Sequence, residues 1–249
     1  MLRAFVAILC GFFWVGVALA QPNTPVSRAL AAIKAENWVK AAHEVRKQGR
    51  VSRDIVEWHR LRAGEGSPAE VLAFLDRRSD WPGLPYLRSQ SEPGFETANR
   101  RQLARFFGAG DAQSAQGVLI QARALEKRGL RDQASGLVVA AWKSMAIGPQ
   151  THQKFLDRYA KLLKPHHTAR MDMVLWKGWE QNTKRMRPLV GEDWRKLADA
   201  RRGLRNRVKG VDGLIAAVPG ALQSNPGLAY ERFVWRARKG RDASAIEIL

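Results

Sequence analysis

Carboxylates are the first side chains to consider, because hydrolysis of a glycosidic bond needs at least one acid held in a shaped pocket. In this sequence the glutamates stand along amphipathic segments beside Arg or Lys, as partners in solvated ion pairs do. Examples are Glu44, Glu57, Glu126, Glu180 and Glu231. We therefore expect ion pairing from these residues, and the sequence predicts no catalytic carboxylate.

The histidines predict no metal site. His166 and His167 are adjacent, so on a helix their side chains diverge by about 100°, and no Asp, Glu or Cys cluster stands near them at ligand spacing. We expect both to be solvated in a turn. The remaining histidines are isolated from one another: His43, His59 and His152. Because the sequence also lacks a Gly-x-Ser-x-Gly nucleophile elbow, we predict no catalytic residue, no metal and no cofactor.

An excess of cationic residues is the feature that remains. The chain holds 42 Lys and Arg against 23 Asp and Glu, a formal charge of +19. Such a charge points to an anionic partner: nucleic acid, an anionic membrane surface or a polymer bearing carboxylates. The candidate ligand contacts are Arg60, Arg62, Trp81, Arg201, Arg205, Arg236 and Arg238. Two structural alternatives stay open, since arginines also cover apolar surface and pair with glutamates, and Trp81 suits a packed bend.

Glycine-centred hairpins are the elements that must position these side chains. Gly64, Gly129, Gly178 and Gly240 each follow a helical pattern, with a small residue five positions on and an apolar residue eight positions on. Antiparallel helices joined by a tight turn need such a glycine for positive φ. Because single hairpins bury little, they must stack. The chain is thus predicted to be all-α, an irregular α-solenoid; the alternative is an ordinary helical domain with unrelated helix stops.

Two further segments give expectations about exposure. The stretch 225–240 has a capping Asn225 and a proline suited to the first helical position. Its buried face is predicted to hold the apolar residues Tyr230, Phe233, Val234 and Ala237. The stretch 91–99 is polar and contains Pro93 and Gly94, and we expect it to be an exposed loop.

Residues 1–20 have the layout of a secretory signal peptide. Arg3 precedes an apolar run from Ala4 to Leu19, and small residues stand before a cleavage point after Ala20. The run is short for a membrane span, although an uncleaved anchor is the alternative. Cleavage would leave residues 21–249 as one helical domain without cysteine. We therefore expect a periplasmic protein with no stable membrane insertion, whose partner is an exported polymer and not nucleic acid.

Four segments carry a family resemblance. They are VEWHRLRAGEG at 56–66, DWPGLP at 80–85, the pair Val211-Asp212 and PGLAYERFVWRARKG at 226–240. Together they resemble the amino-terminal superhelical domain of soluble lytic murein transglycosylases of Gram-negative bacteria, over roughly residue 27 to the end.

The resemblance implies a U-shaped superhelix that embraces peptidoglycan glycan strands in the periplasm. In that family a separate lysozyme-like domain cleaves the MurNAc-GlcNAc bond, and one glutamate serves as acid and then base, leaving 1,6-anhydromuramyl ends. This sequence stops at Leu249 and contains neither the Glu-Ser nor the Gly-Leu-Met-Gln segment of that domain. The expectation is a truncated chain that binds peptidoglycan and is inactive alone. The alternative is a periplasmic helical-repeat adaptor that binds an acidic protein.

Overall fold

The computed structural model describes residues 23–240 and 242–247, and within them every regular element is helical, without a β-strand. The prediction of an all-α chain is therefore confirmed. The α-helices are α1 (Pro25–Lys34), α2 (Trp38–Glu44), α3 (Arg50–Arg62), α4 (Pro68–Arg77), α5 (Leu84–Ser91), α6 (Arg100–Gly108), α7 (Ala115–Glu126), α8 (Arg131–Ser144), α9 (Pro149–Leu163), α10 (His167–Lys177), α11 (Glu180–Met186), α12 (Glu192–Arg205), α13 (Val211–Ala216), α14 (Gly220–Gln223), α15 (Pro226–Ala237) and α16 (Asp242–Ile246). Short 3₁₀ helices span Glu92–Thr97, Lys164–His166 and Arg187–Leu189.

The described chain divides into two compact units on either side of the bond between Arg60 and Leu61. The predicted signal peptide, residues 1–20, lies outside the described residues. Among the described helices, none combines the length and the apolar character that a membrane crossing demands.

Helix starts follow from local capping chemistry. Ser67 accepts a hydrogen bond from the backbone N–H of Glu70 at 3.3 Å, and the Glu70 carboxylate accepts one from the N–H of Ser67 at 2.9 Å. Asn99 and Gln102 make the same reciprocal pair at the start of α6. Each box satisfies donors that the first helical turn leaves free. The predicted cap at Asn225 is also present, since its side chain accepts from the N–H of Leu228 at 3.1 Å.

The four hairpin glycines have the predicted conformation. Their φ angles are +82° at Gly64, +80° at Gly129, +66° at Gly178 and +67° at Gly240, values that a side chain disfavours. The small residue five positions on is buried after the last three of these glycines: Ala134, Thr183 and Ala245. After Gly64 the pattern differs, because Ala69 is exposed and Leu72 is buried.

The cores are local to groups of neighbouring helices. In the unit that ends at Arg60, α1 packs on α2 through small residues, and Arg28 Nε lies 2.7 Å from a carboxylate oxygen of Glu44. In the larger unit, one cluster surrounds the fully buried rings of Trp142 and Phe155, and another joins α12, α13 and α15. Members of the latter cluster are Leu197, Ala200, Leu204, Val211, Val218 and Leu228.

The prediction of an exposed loop at 91–99 is wrong. The segment continues α5 into a 3₁₀ helix, and Phe95 is buried with its ring stacked on Phe106 at 3.9 Å. Glu92, 1% exposed, accepts hydrogen bonds from the N–H groups of Gln113 and Ser114 at 2.6 and 2.7 Å. The carboxylate thus satisfies donors at the start of α7. A polar residue is buried here because donors from a distant segment surround it.

Candidate functional site

The candidate site lies where α10, α12 and α15 pack against one another. Each helix contributes two residues four positions apart, which therefore lie on one face. We call this set the arginine seam: Asp172 and Trp176 from α10, Arg201 and Arg205 from α12, and Gly227 and Glu231 from α15. The seam brings together two of the predicted arginines from one helix with acids from two others.

Arg201 lies inside the seam, with its side chain 1% exposed. Its Nη1 donates to Asp172 Oδ1 at 2.5 Å, and its guanidinium carbon lies 5.1 Å from the centre of the Trp176 ring. Burial lowers the pKa of Arg201, and the carboxylate of Asp172 acts against that shift. Its Nε and Nη2 are buried without a partner among the described residues. Arg201 is consequently a buried support beneath Trp176.

A glycine makes room for this guanidinium. A Cβ on Gly227 would fall closer than 3.0 Å to three guanidinium atoms of Arg201. Every residue other than glycine has a Cβ, which would occupy the space that the guanidinium fills. The close approach of α15 to α12 therefore depends on Gly227.

Arg205 pairs with Glu231, whose side chain is only 3% exposed. Arg202, on the same helix, forms a bidentate ion pair with Glu180, in which Nε donates at 3.0 Å and Nη2 donates to the other carboxylate oxygen. Hydrogen bonding from Arg202 lowers the pKa of Glu180. The predicted ion pairing of these two glutamates is therefore present, but Glu231 is buried, contrary to the expectation of a solvated pair. Arginines on a neighbouring helix supply the partners.

Two exposed aromatic rings lie at the edge of the seam. Trp176 and Tyr230 are 41% and 49% exposed, with ring centres 5.4 Å apart. We call them the aromatic pair. The placement of Tyr230 on a buried face of α15 is wrong, because the buried residues of that helix are Gly227, Leu228 and Glu231. Exposed rings of this kind offer flat apolar faces to a ligand.

The aromatic pair was missed in the sequence. Trp176 sits in an amphipathic segment in which a tryptophan normally packs inward. Tyr230 satisfies a helical apolar spacing that the fold does not use. No local signal distinguishes these two rings from core residues.

The other predicted contacts are distributed over the chain. Arg60 is half-buried and belongs to the smaller unit. The Arg62 guanidinium lies 5.0 Å from the centre of the Tyr86 ring. Trp81 is half-buried, 6.2 Å from the Phe74 ring and 4.9 Å from the guanidinium of Arg78.

The last pair of predicted arginines lies at the end of α15. Arg236 Nη1 donates to the carbonyl of Ser244 at 2.5 Å. Arg238 is exposed and, with Arg207 and Lys239, lines a small cavity of about 140 Å³. Among the described residues, no carboxylate lies within ion-pair distance of Arg238.

A second polar cluster is buried around Trp142. Arg170 is fully buried, and its guanidinium lies 4.5 Å from the centre of the Trp142 ring. It donates to the carbonyl of Met145 at 3.2 Å and to Asn182 Oδ1 at 3.0 Å, and within the described ranges no carboxylate pairs with it. Burial lowers the pKa of Arg170 to about 10, and the charge of Arg185 adds to this effect.

Two histidines border this cluster. His152 is 5% exposed; burial first, and then the charges of Arg170, Arg185 and His167, lower its pKa to about 4. His167 is half-buried, with Nδ1 3.1 Å from the carbonyl oxygen of Leu189, and burial is the main cause that lowers its pKa. The expected solvation of His167 is therefore wrong. His152 is therefore a neutral core residue at neutral pH.

Both acids of the seam, Asp172 and Glu231, are held in ion pairs with its arginines. In the described part of the chain, no group of three or more His, Cys, Asp or Glu side chains is placed to hold a metal ion. Neither a protein-family model, nor a curated protein, nor a solved structure matches this chain.

Proposed function

We propose that this protein is the peptidoglycan-binding, superhelical part of a periplasmic lytic transglycosylase, with its hairpins stacked into a U-shaped solenoid. The observation that carries the proposal is the aromatic pair, two exposed rings beside an arginine-rich seam. The resemblance of the segments at 56–66, 80–85 and 226–240 supports the same function. Export through a signal peptide at 1–20 is part of the proposal.

The chemistry of a glycan strand matches this surface in two respects. Sugar rings have flat faces of C–H bonds that pack on aromatic rings, and the exposed area of Trp176 and Tyr230 suits one such face. The stem peptides of peptidoglycan carry carboxylates, and the chain has far more cations than acids. Ring stacking thus supplies the fit, and charge supplies attraction over distance.

The predicted arginines take different roles in this proposal. Arg201 and Arg205 hold the seam in shape, because each forms an ion pair across it, Arg201 with Asp172 and Arg205 with Glu231. Arg238 is exposed and free to meet a carboxylate of the ligand.

Sedimentation with purified sacculi tests the proposal. The wild-type protein should pellet with sacculi at low salt and be released as salt rises, because screening weakens exposed charges. The double substitution Trp176→Ala with Tyr230→Ala should reduce binding roughly thirtyfold, since each of the two exposed aromatic contacts is worth on the order of 1 kcal/mol. The matched control is Val39→Ala, which shortens a side chain that is 83% exposed in the smaller unit.

Three results would count against the proposal. If the wild-type protein stays in the supernatant with sacculi at moderate salt, an adaptor for an acidic protein becomes the better hypothesis. If the aromatic double variant binds sacculi as tightly as Val39→Ala does, the aromatic pair is not the contact surface. A clearing band on a murein-containing gel would show that the chain cuts peptidoglycan by itself.

A further inference from the structure

A cavity of about 300 Å³ opens between α6 and α7, on part of the larger unit that neither the arginine seam nor the aromatic pair uses. Its wall is mostly apolar and is supplied by Leu103, Ala104, Phe107, Ala124 and Leu125. Phe107 and Leu125 also pack against the central core, so the bottom of the cavity is continuous with well-packed structure. A pocket of this kind is formed before a ligand arrives.

The aromatic residues beneath the cavity hold its shape. The Phe107 ring meets the Phe106 ring edge-on, with centres 5.1 Å apart, and Phe106 stacks on Phe95. The side-chain amide of Gln121, which also lines the cavity, is already bonded to the backbone N–H of Ala112 at 2.8 Å and to Asp111 at 3.0 Å. The polar atoms of Gln121 are therefore occupied, and the apolar wall dominates.

The rim of the cavity is cationic. Arg100, Lys127 and Arg128 line it and are exposed, and no acidic residue is among its lining residues. Within the described part of the chain, none of these three cations has an ion-pair partner. By contrast, three other arginines of the larger unit each pair with a carboxylate from another helix: Arg105, Arg123 and Arg158. The rim thus concentrates unpaired positive charge around an apolar hollow.

We infer that this cavity binds a small amphipathic anion, a free medium-chain alkyl carboxylate whose tail lies on the apolar wall and whose head group meets the cationic rim. Charge complementarity selects an anionic head, and the wall selects an unbranched apolar tail. The volume lies at the lower limit of about 300–1,000 Å³ for ligand pockets, which excludes a two-chain lipid. This site is independent of the proposed function, since it shares no residue with the aromatic pair.

Calorimetric titration of the full protein with sodium octanoate, decanoate, dodecanoate and tetradecanoate tests the inference. Each added methylene should tighten binding about fourfold while the cavity fills, and the gain should stop once the tail is longer than the cavity. Ala104→Trp places a large ring at an exposed lining position and should abolish binding. The control Ala160→Trp makes the same change at an exposed position of α9 outside the cavity and should have no effect.

Charge is tested separately from shape. The double substitution Lys127→Glu with Arg128→Glu should weaken decanoate binding about fivefold or more, because each exposed ion pair contributes up to roughly fivefold. Binding of neutral decanol should be unchanged in that variant. Lys143→Glu, at an exposed position that does not line the cavity, is the control for overall charge.

The inference is wrong if no carboxylate in the series binds saturably, or if Ala104→Trp, folded by circular dichroism, binds decanoate like the wild type. Affinity that keeps rising through tetradecanoate and ignores the charge variants would indicate surface adsorption and would also overturn it. If the protein instead sediments with anionic phospholipid vesicles through these cations while free decanoate does not bind, the ligand is a membrane and not a free acid. Sacculus binding is measured on other residues, so neither result depends on the other.

Discussion

Replacing Gly227 with alanine should destabilise the protein, although alanine is the better helix former. Gly227 lies in the first turn of α15, and a Cβ there would overlap the guanidinium of Arg201. That guanidinium is the far end of a flexible chain, but the Arg201 side chain is only 1% exposed. It is buried against Trp176 and bonded to Asp172 at 2.5 Å. Relief of the overlap therefore requires a shift of α15 or the loss of the ion pair.

The expected change in the free energy of unfolding combines one stabilising and two destabilising contributions. Alanine in place of glycine within a helix stabilises by about 0.5–1 kcal/mol, and less in a first turn. Overpacking of a filled interior costs about 1–3 kcal/mol, and a buried charge that loses its partner costs about 3–5 kcal/mol. Because Asp172 is 31% exposed and keeps some solvation, we expect a net loss near the overpacking range, about 1–3 kcal/mol.

Urea unfolding followed by tryptophan fluorescence measures this loss, with two comparisons. Gly136→Ala in α8 is the matched control, because a Cβ at this exposed helical glycine meets nothing within 4 Å. It should stabilise by about 0.5–1 kcal/mol. In an Arg201→Met background, where the guanidinium is gone, Gly227→Ala should become neutral or stabilising. Equal effects of Gly227→Ala in both backgrounds, or stabilisation of the wild type, would refute the proposed close approach.

Three further predictions concern ionisable side chains and the effect of their burial. Glu92→Ala should destabilise the protein by about 2–4 kcal/mol, because it leaves the backbone N–H groups of Gln113 and Ser114 at the start of α7 without their acceptor. A loss below about 0.5 kcal/mol in urea unfolding would contradict this. Because the pKa of His152 is about 4 in the fold against 6.5 ordinarily, the unfolded chain takes up the proton first. Stability should therefore fall by about 3 kcal/mol between pH 6.5 and 4, and His152→Gln should remove that share of the fall in unfolding curves collected across this range. Glu231 is 3% exposed in its ion pair, and Glu231→Ala should lower the free energy of unfolding by about 3–5 kcal/mol. Asp76 is 51% exposed in its ion pair, and Asp76→Ala should lower it by under about 1 kcal/mol. Equal shifts of the melting temperature would show that burial does not determine how much these ion pairs stabilise the protein.

Features encoded within a few residues were predictable from the sequence. The glycines at 64, 129, 178 and 240 have positive φ, and the cap at Asn225 forms, because a turn or a cap depends on residues one to four positions away. The helical class of the chain followed from the same local signals.

Features that depend on distant partners were not predictable. Glu231 is buried because Arg205, 26 positions earlier, reaches it from α12, and nothing near Glu231 in the sequence indicates that arginine. The 91–99 segment was misassigned for the same reason, since the donors that bury Glu92 stand 21 and 22 positions later. A helix with apolar residues on several sides, such as α15, admits more than one buried face, and the pairing of Glu231 decides which one the fold uses.

In this molecule the surface charge attracts anionic ligands, but it does not determine which ligand binds. The buried arginines are compensated locally, Arg201 by a carboxylate and Arg170 by carbonyl and amide oxygens, so they contribute structure. The excess of 42 cations over 23 acids therefore lies mainly on the surface, where it attracts any anion and is screened by salt within about 10 Å at 0.1 M. Such a field cannot distinguish one anionic ligand from another. Selection must then come from shaped apolar surface, and the aromatic pair and the cavity between α6 and α7 are two described surfaces of the larger unit that combine apolar area with nearby cations.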